Sequence, residues 1–239
     1  MAAAGGNESS ASERWSNRHA SLMLIGLVAA LIAGRVAVMA LAGALSLATL
    51  IVLSRASFGG LRGFGAANSV TALRVLLTIA FAFAADAGAG IACTLLALAN
   101  FTLDGVDGWL ARHERRTPLA AAFGARLDME SDAVFVMVMS LALFELDRAG
   151  PWVLLAGCLR YLYVLWLRFL PGLTREAPRS RFARHVFSIV VTGFIASFWP
   201  LEAVSQALCA AVTCLLLYAF GQSFLWSLMH HSQVHDAAE

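Results

Sequence analysis

Lysine is absent from this 239-residue chain, and all 17 basic residues are arginines. That excludes Schiff-base catalysis and a P-loop, which both need a lysine amine. Charge of either sign is also scarce. Charged residues make up 13% against 60% hydrophobic, with a mean hydropathy of +0.75, which lies outside the composition of soluble domains. The net charge is only +2, and no nucleic-acid partner is expected. The four cysteines, Cys93, Cys158, Cys209 and Cys214, lie in apolar runs without a Cys-x-x-Cys pair. They signal neither zinc nor redox chemistry and are expected to pack as small apolar residues.

What is abundant is apolar sequence in blocks. Such runs cover about 21–34, 36–54, 69–85, 88–103, 127–146, 151–170, 185–199 and 203–228. Several fall short of the ~20 residues that span a bilayer, so their ends are expected to continue into the polar flanks. The expected fold is all-α: a polytopic membrane bundle with a six-helix core and one or two extra N-terminal hydrophobic helices. Gly34-Arg35 is read as a hairpin turn in preference to the middle of one long tilted helix. The apolar stretch from Ser21 outlasts a cleavable signal and is read as a retained anchor. Three regions are expected: 1–67 as polar segment, hydrophobic extension and linker; 68–229 as the core; and 230–239 as a polar tail. The 58–67 stretch lacks a full phosphate-loop pattern, and the histidines at 230, 231 and 235 read as a solvated tail.

Arginine placement sets the expected orientation, because cytoplasmic loops are enriched in basic residues. With both termini inside, Arg35 and Arg148 fall outside, Arg160 falls within a span, and the others, Arg74 among them, fall on the inner side.

Against that background stands a run of carboxylates: Asp104-x2-Asp107-Gly108-x2-Ala111-Arg112, then Gly124-x3-Asp128-x3-Asp132. Ionised groups at membrane depth are costly and mark function. At helical periodicity Asp104, Asp107, Gly108 and Ala111 share an arc of about 100°, and Gly124, Asp128 and Asp132 one of about 80°. Two helix faces can therefore bring four carboxylates together, with glycine and alanine leaving space beside them. A divalent cation would keep such a cluster ionised, and Mg²⁺ suits carboxylates that share a substrate phosphate.

The string Asp104-Gly-Val-Asp107-Gly108-Trp-Leu-Ala111-Arg112 … Gly124-Ala-Arg-Leu-Asp128-Met-Glu-Ser-Asp132 resembles the signature of the CDP-alcohol phosphotransferases, six-span membrane enzymes. One departure is the spacer His113 to Phe123, longer than the family usually carries, although loop insertions generally cost little stability. The resemblance implies transfer of a phosphatidyl-type group from a CDP-linked lipid to the hydroxyl of a small alcohol acceptor, with release of CMP and two ions of Mg²⁺ or Mn²⁺. By position, Asp104, Asp107, Asp128 and Asp132 would hold metal, with Asp132 also the general base. Gly108, Ala111, Arg112 and Gly124 would receive the nucleotide. Arg160 and Arg168, spaced like an arginine pair in phosphatidylglycerophosphate synthases, together with Arg181 and Arg184, would bind a phosphorylated acceptor.

The expected setting is a bacterial inner membrane, among membrane lipids, with the site facing the cytoplasm. A homodimer is compatible with the sequence but not specified by it. Three alternatives remain open at this point: a UbiA-type prenyltransferase, to which Asn100-x3-Asp104 bears a superficial likeness, a cation transporter, and a membrane scaffold.

Overall fold

A computed structural model describes residues 2–55, 64–114, 116–169, 181–199 and 202–236, with side chains from Trp15 onward except at 181, 183, 202–203 and 230–236. The 58–67 stretch expected as a linker and the arginines at 175 and 179 lie wholly or largely outside these residues. Among them the chain is helical throughout: α1 (Ala2–Ala33), α2 (Val36–Leu53), α3 (Gly65–Asp86), α4 (Gly90–His113), α5 (Pro118–Glu145), a 3-10 turn (Pro151–Val153), α6 (Leu154–Leu167), α7 (Arg181–Ser197) and α8 (Glu202–Asp236). α1 and α2 are the two additional helices, and the six that follow form the core.

The turns follow from local chemistry. Gly34, at φ +60°, adopts a conformation that side chains disfavour, and Arg35 is extended, so α1 stops and α2 starts as a hairpin. The first amides of α2 need acceptors. Asp86, at the end of α3, supplies them, taking Val36 N–H at 2.6 Å and Ala37 N–H at 3.2 Å. Glu114 does the same for α3, accepting from Ala66 and Ala67 at 2.6 and 3.2 Å. Thr117 caps α5, with Pro118 at its first position.

At the centre lies α5. Val134 to Leu143 are all buried, right round the helix, as expected of a strand-free core surrounded by other helices. It packs against α2, α3, α6 and α7. Gly157 of α6 permits a close approach to backbone: a Cβ there would lie 2.8 Å from the Met137 Cα. α3 packs against both α4 and α5, which determines what stands between the two aspartate-bearing faces.

Among the described residues five helices are long and apolar enough to cross a membrane: Trp15–Ala33, Val36–Leu53, Gly65–Asp86, Gly90–His113 and Val204–Met229, with shorter apolar helices at Pro151–Leu167 and Arg184–Ser197. Large apolar side chains such as Ile25, Ile32, Leu45, Leu76 and Leu95 face outward. Water would not tolerate so much exposed apolar surface, whereas lipid does. The chain is an integral membrane protein. As anticipated, the helices outrun their apolar runs: α4 continues to His113 and α5 begins at Pro118, so the aspartates sit on polar helix ends.

Candidate active site

Arg74 of α3 is 2% exposed and stands between the aspartate faces of α4 and α5. Its Nη1 lies 3.0 Å from Asp104 Oδ1, 2.9 Å from Asp107 Oδ2 and 3.0 Å from Asp128 Oδ1, and its Nη2 lies 2.5 Å from Asp132 Oδ1. All four aspartates thus converge, as their spacing indicates. They converge on a guanidinium rather than directly on one another.

The rest of Arg74 is anchored. Its Nε–H donates to Asn100 Oδ1 at 3.3 Å, while Asn100 Nδ2 donates to the Arg74 carbonyl at 2.8 Å and to Thr78 Oγ1 at 3.0 Å. Asn100 is therefore the support of this arginine, which accounts for its place one turn before Asp104. Thr71 donates to Asp107 Oδ2 at 3.1 Å, so that oxygen is held by two groups.

The donor set suits a hard cation. One carboxylate oxygen from each of Asp104, Asp128 and Asp132 lies within 4.8 Å of the others, and oxygen-only donors favour Mg²⁺-like ions over softer metals. Asp104 and Asp128 are about one-third exposed, at 30% and 34% of their side chains, which leaves them reachable. Arg74 can offset only one of four negative charges, so added positive charge has an electrostatic reason to bind. Asp107, buried against Thr71 and Arg74, stands outside the three-oxygen group.

These residues open on a cavity of about 600 Å³ bounded by α4, α5, α6, α7 and α8. Asp104, Asp107, Gly108, Arg112, Asp128 and Asp132 line it, and so do Arg160 and Arg184. The remaining residues singled out from the sequence are placed differently. Ala111 is exposed and does not line the cavity. Gly124 is buried where α5 meets other side chains: a Cβ there would lie 2.8 Å from both Asn68 Oδ1 and Arg116 Nη1. Its small size serves that junction. Arg168, at the end of α6, is exposed and off the cavity wall, and the Arg181 side chain lies outside the described residues.

Arg160 has a partner that the sequence did not reveal. Its Nη2 donates to Glu130 Oε1 at 2.8 Å, and Glu130 is 1% exposed. Glu130 lies two residues from both Asp128 and Asp132, about 200° round the helix from each, and so faces a different neighbour. By the positive-inside pattern alone, Arg74 reads as one of the arginines that orient the chain. The signal available was its depth: it lies well inside the apolar run of α3, as Arg160 does in α6, and a buried arginine requires carboxylates.

Outside the membrane segments, Glu114 joins the spacer to the core. Partial burial acts to raise its pKa, but the Arg116 guanidinium and the amides of Ala66 and Ala67 outweigh this and hold the carboxyl below its ordinary value. Arg116 grips the Glu114 Oε2 through both Nε, at 2.7 Å, and Nη2. The long spacer after Arg112 thus begins as a clamp on the start of α3.

Searches of curated proteins and of solved structures return no match to the chain. A family model, that of the CDP-alcohol phosphatidyltransferases, matches residues 64–232, a stretch that holds the four aspartates, Arg74, every residue lining the cavity and the six core helices except the last turn of α8. With its transferase signature set in a helical membrane bundle, the chain belongs to the CDP-alcohol phosphatidyltransferase family, membrane transferases of phospholipid biosynthesis.

Proposed function

We propose that the protein transfers a phosphatidyl group from a CDP-linked lipid, CDP-diacylglycerol, to the hydroxyl of a small phosphorylated alcohol, releasing CMP. The observation that carries this is one cavity holding both a three-carboxylate oxygen cluster and the guanidinium of Arg160. Carboxylates that gather divalent ions suit the diphosphate of the donor, and guanidinium groups suit a phosphate on the acceptor.

In this reading Asp104, Asp128 and Asp132 hold Mg²⁺ or Mn²⁺, with Asp107 fixed beside them by Thr71 and Arg74. The bound ions would supply charge neutralisation at the diphosphate and at the leaving phosphate. Gly108 and Arg112, on the wall of the cavity, receive the nucleotide end. Arg160 and Arg184 orient the acceptor by its phosphate. Asp132 takes the proton of the acceptor hydroxyl as its oxygen bonds to the lipid-side phosphorus. The bond from that phosphorus to the CMP oxygen breaks, and CMP departs. Arg74 keeps the four carboxylates in register throughout. The bias of arginines to one side supports a site at the cytoplasmic face of the membrane, and an Ala- and Arg-rich composition without lysine is in keeping with a bacterial inner membrane.

The test is CMP release by purified protein given CDP-diacylglycerol with glycerol 3-phosphate, inositol phosphate, serine, glycerol or inositol, with and without EDTA. Release that requires a phosphorylated acceptor and stops on chelation is the expected result. Turnover indifferent to EDTA would remove the metal from the proposal. Preference for a plain alcohol would remove the phosphate.

A further inference from the structure

We infer that the N-terminal hairpin, which precedes the stretch matched by the family, helps to build the acceptor wall: His19 of α1, acting through Glu130, positions Arg160. The inference rests on the reading of Arg160 as an acceptor-binding residue.

His19 is 1% exposed and points out of α1 into the core. Its Nδ1 is 2.7 Å from Ser46 Oγ of α2, and its Nε2 is 3.8 Å from Glu130 Oε2. The other oxygen of Glu130 accepts from Arg160, which lines the cavity. A line of polar groups therefore runs Ser46–His19–Glu130–Arg160, across α2, α1, α5 and α6, hydrogen-bonded at its two ends and joined in the middle by an electrostatic contact longer than a hydrogen bond. The imidazole has little freedom to turn. Trp15 stacks on one face at 4.7 Å and 12°, and Tyr161 meets it edge-on at 5.6 Å and 69°.

The chemistry of the chain is directional. A carboxylate oxygen facing Nε2 favours the tautomer with its hydrogen there, and the Ser46 hydroxyl then donates to Nδ1. That hydrogen bond sets the ring, so that the Nε2–H faces the Glu130 carboxylate at 3.8 Å and biases its orientation electrostatically in a buried, low-dielectric setting. With the near oxygen biased toward the ring, the other oxygen is directed at Arg160, and the guanidinium bonded to it takes its orientation from there. Outer partners of this kind orient the groups that touch substrate. The contact between α1 and α6 gives the hairpin the same reach through packing.

Kinetics separate this role from a purely structural one. His19→Ala and Glu130→Gln are expected to raise the acceptor KM about tenfold, with the CDP-diacylglycerol KM changed less than about twofold. His19→Gln, which returns an N–H toward Glu130, should recover most of the loss. Ser46→Ala deletes one oxygen and should shift the acceptor KM in the same direction by less, and it provides a second test should His19→Ala fail to fold. An unchanged acceptor KM in a folded His19→Ala, or a fall confined to kcat and melting temperature, would overturn the inference. Failure of the underlying reading appears elsewhere, in the wild-type protein. If glycerol 3-phosphate and inositol phosphate release no more CMP than glycerol and inositol, the acceptor assignment falls and this inference falls with it.

Discussion

The Nη2 of Arg74 lies 2.5 Å from Asp132 Oδ1, which ties α3 to the far end of the aspartate register on α5. Through Nη1 the same guanidinium reaches Asp104 and Asp107 on α4 and Asp128 on α5. One buried cation thus holds together two helices whose facing side chains carry the same sign of charge.

Removing that cation should be severe. Breaking a buried ion pair by deleting one partner costs about 3–5 kcal/mol, because the opposite charge is left behind. Arg74→Gln is expected to unfold at a markedly lower temperature in detergent. Added Mg²⁺ should raise the melting temperature of the variant more than that of the wild type, since the divalent ion substitutes for part of the lost charge. A variant as stable as the wild type, or one indifferent to Mg²⁺, would contradict this account of the cluster.

Asp128 is about one-third exposed and one of the three converging carboxylates. Asp128→Asn keeps its shape but removes its charge, and should reduce CMP release by more than the ~100-fold typical of losing an outer partner of a metal site. Membrane insertion and helix content, followed by fractionation and circular dichroism, should be unchanged. Turnover near the wild-type level would exclude this residue as a ligand.

Packing gives a prediction independent of chemistry. A methyl group at position 157 would press on the Met137 Cα at 2.8 Å, and backbone cannot rotate away as a side-chain tip can. Gly157→Ala should destabilise the bundle by about 1–3 kcal/mol through overpacking, read as a lower melting temperature. An unaffected melting temperature would show that α5 and α6 have room to separate.

The Glu114 clamp gives a pH dependence. Its carboxyl is held below the ordinary value of 4.5, so the unfolded state binds the proton more readily than the folded one. The resulting stability is fully present above that ordinary value and is lost as pH falls through the lowered folded value. Thermal melts between neutral and acidic pH should show this loss, and Glu114→Gln should show less of it. Equal acid sensitivity in both proteins would place the effect elsewhere.

Much of this molecule was legible in its residues. The apolar blocks and the scarcity of charge required a helical membrane bundle, since only closed hydrogen-bonding backbones survive in lipid. The three- and four-residue spacing of Asp104, Asp107, Asp128 and Asp132 placed them on two faces, because periodicity is a local property of the helix. What lies between those faces is not local. Arg74, thirty residues before Asp104, shows by its depth in an apolar run that it needs carboxylates but not which ones, and Glu130 is hidden among neighbouring aspartates. His19 carried no signal at all. Their roles come from packing, as α3 wedges between α4 and α5 and the hairpin lies against α6. Sequence determined which side chains each helix could present, through the 100° step between residues. Tertiary structure alone decided which of them meet, because burial compels every charge to find its opposite on whichever helix is adjacent.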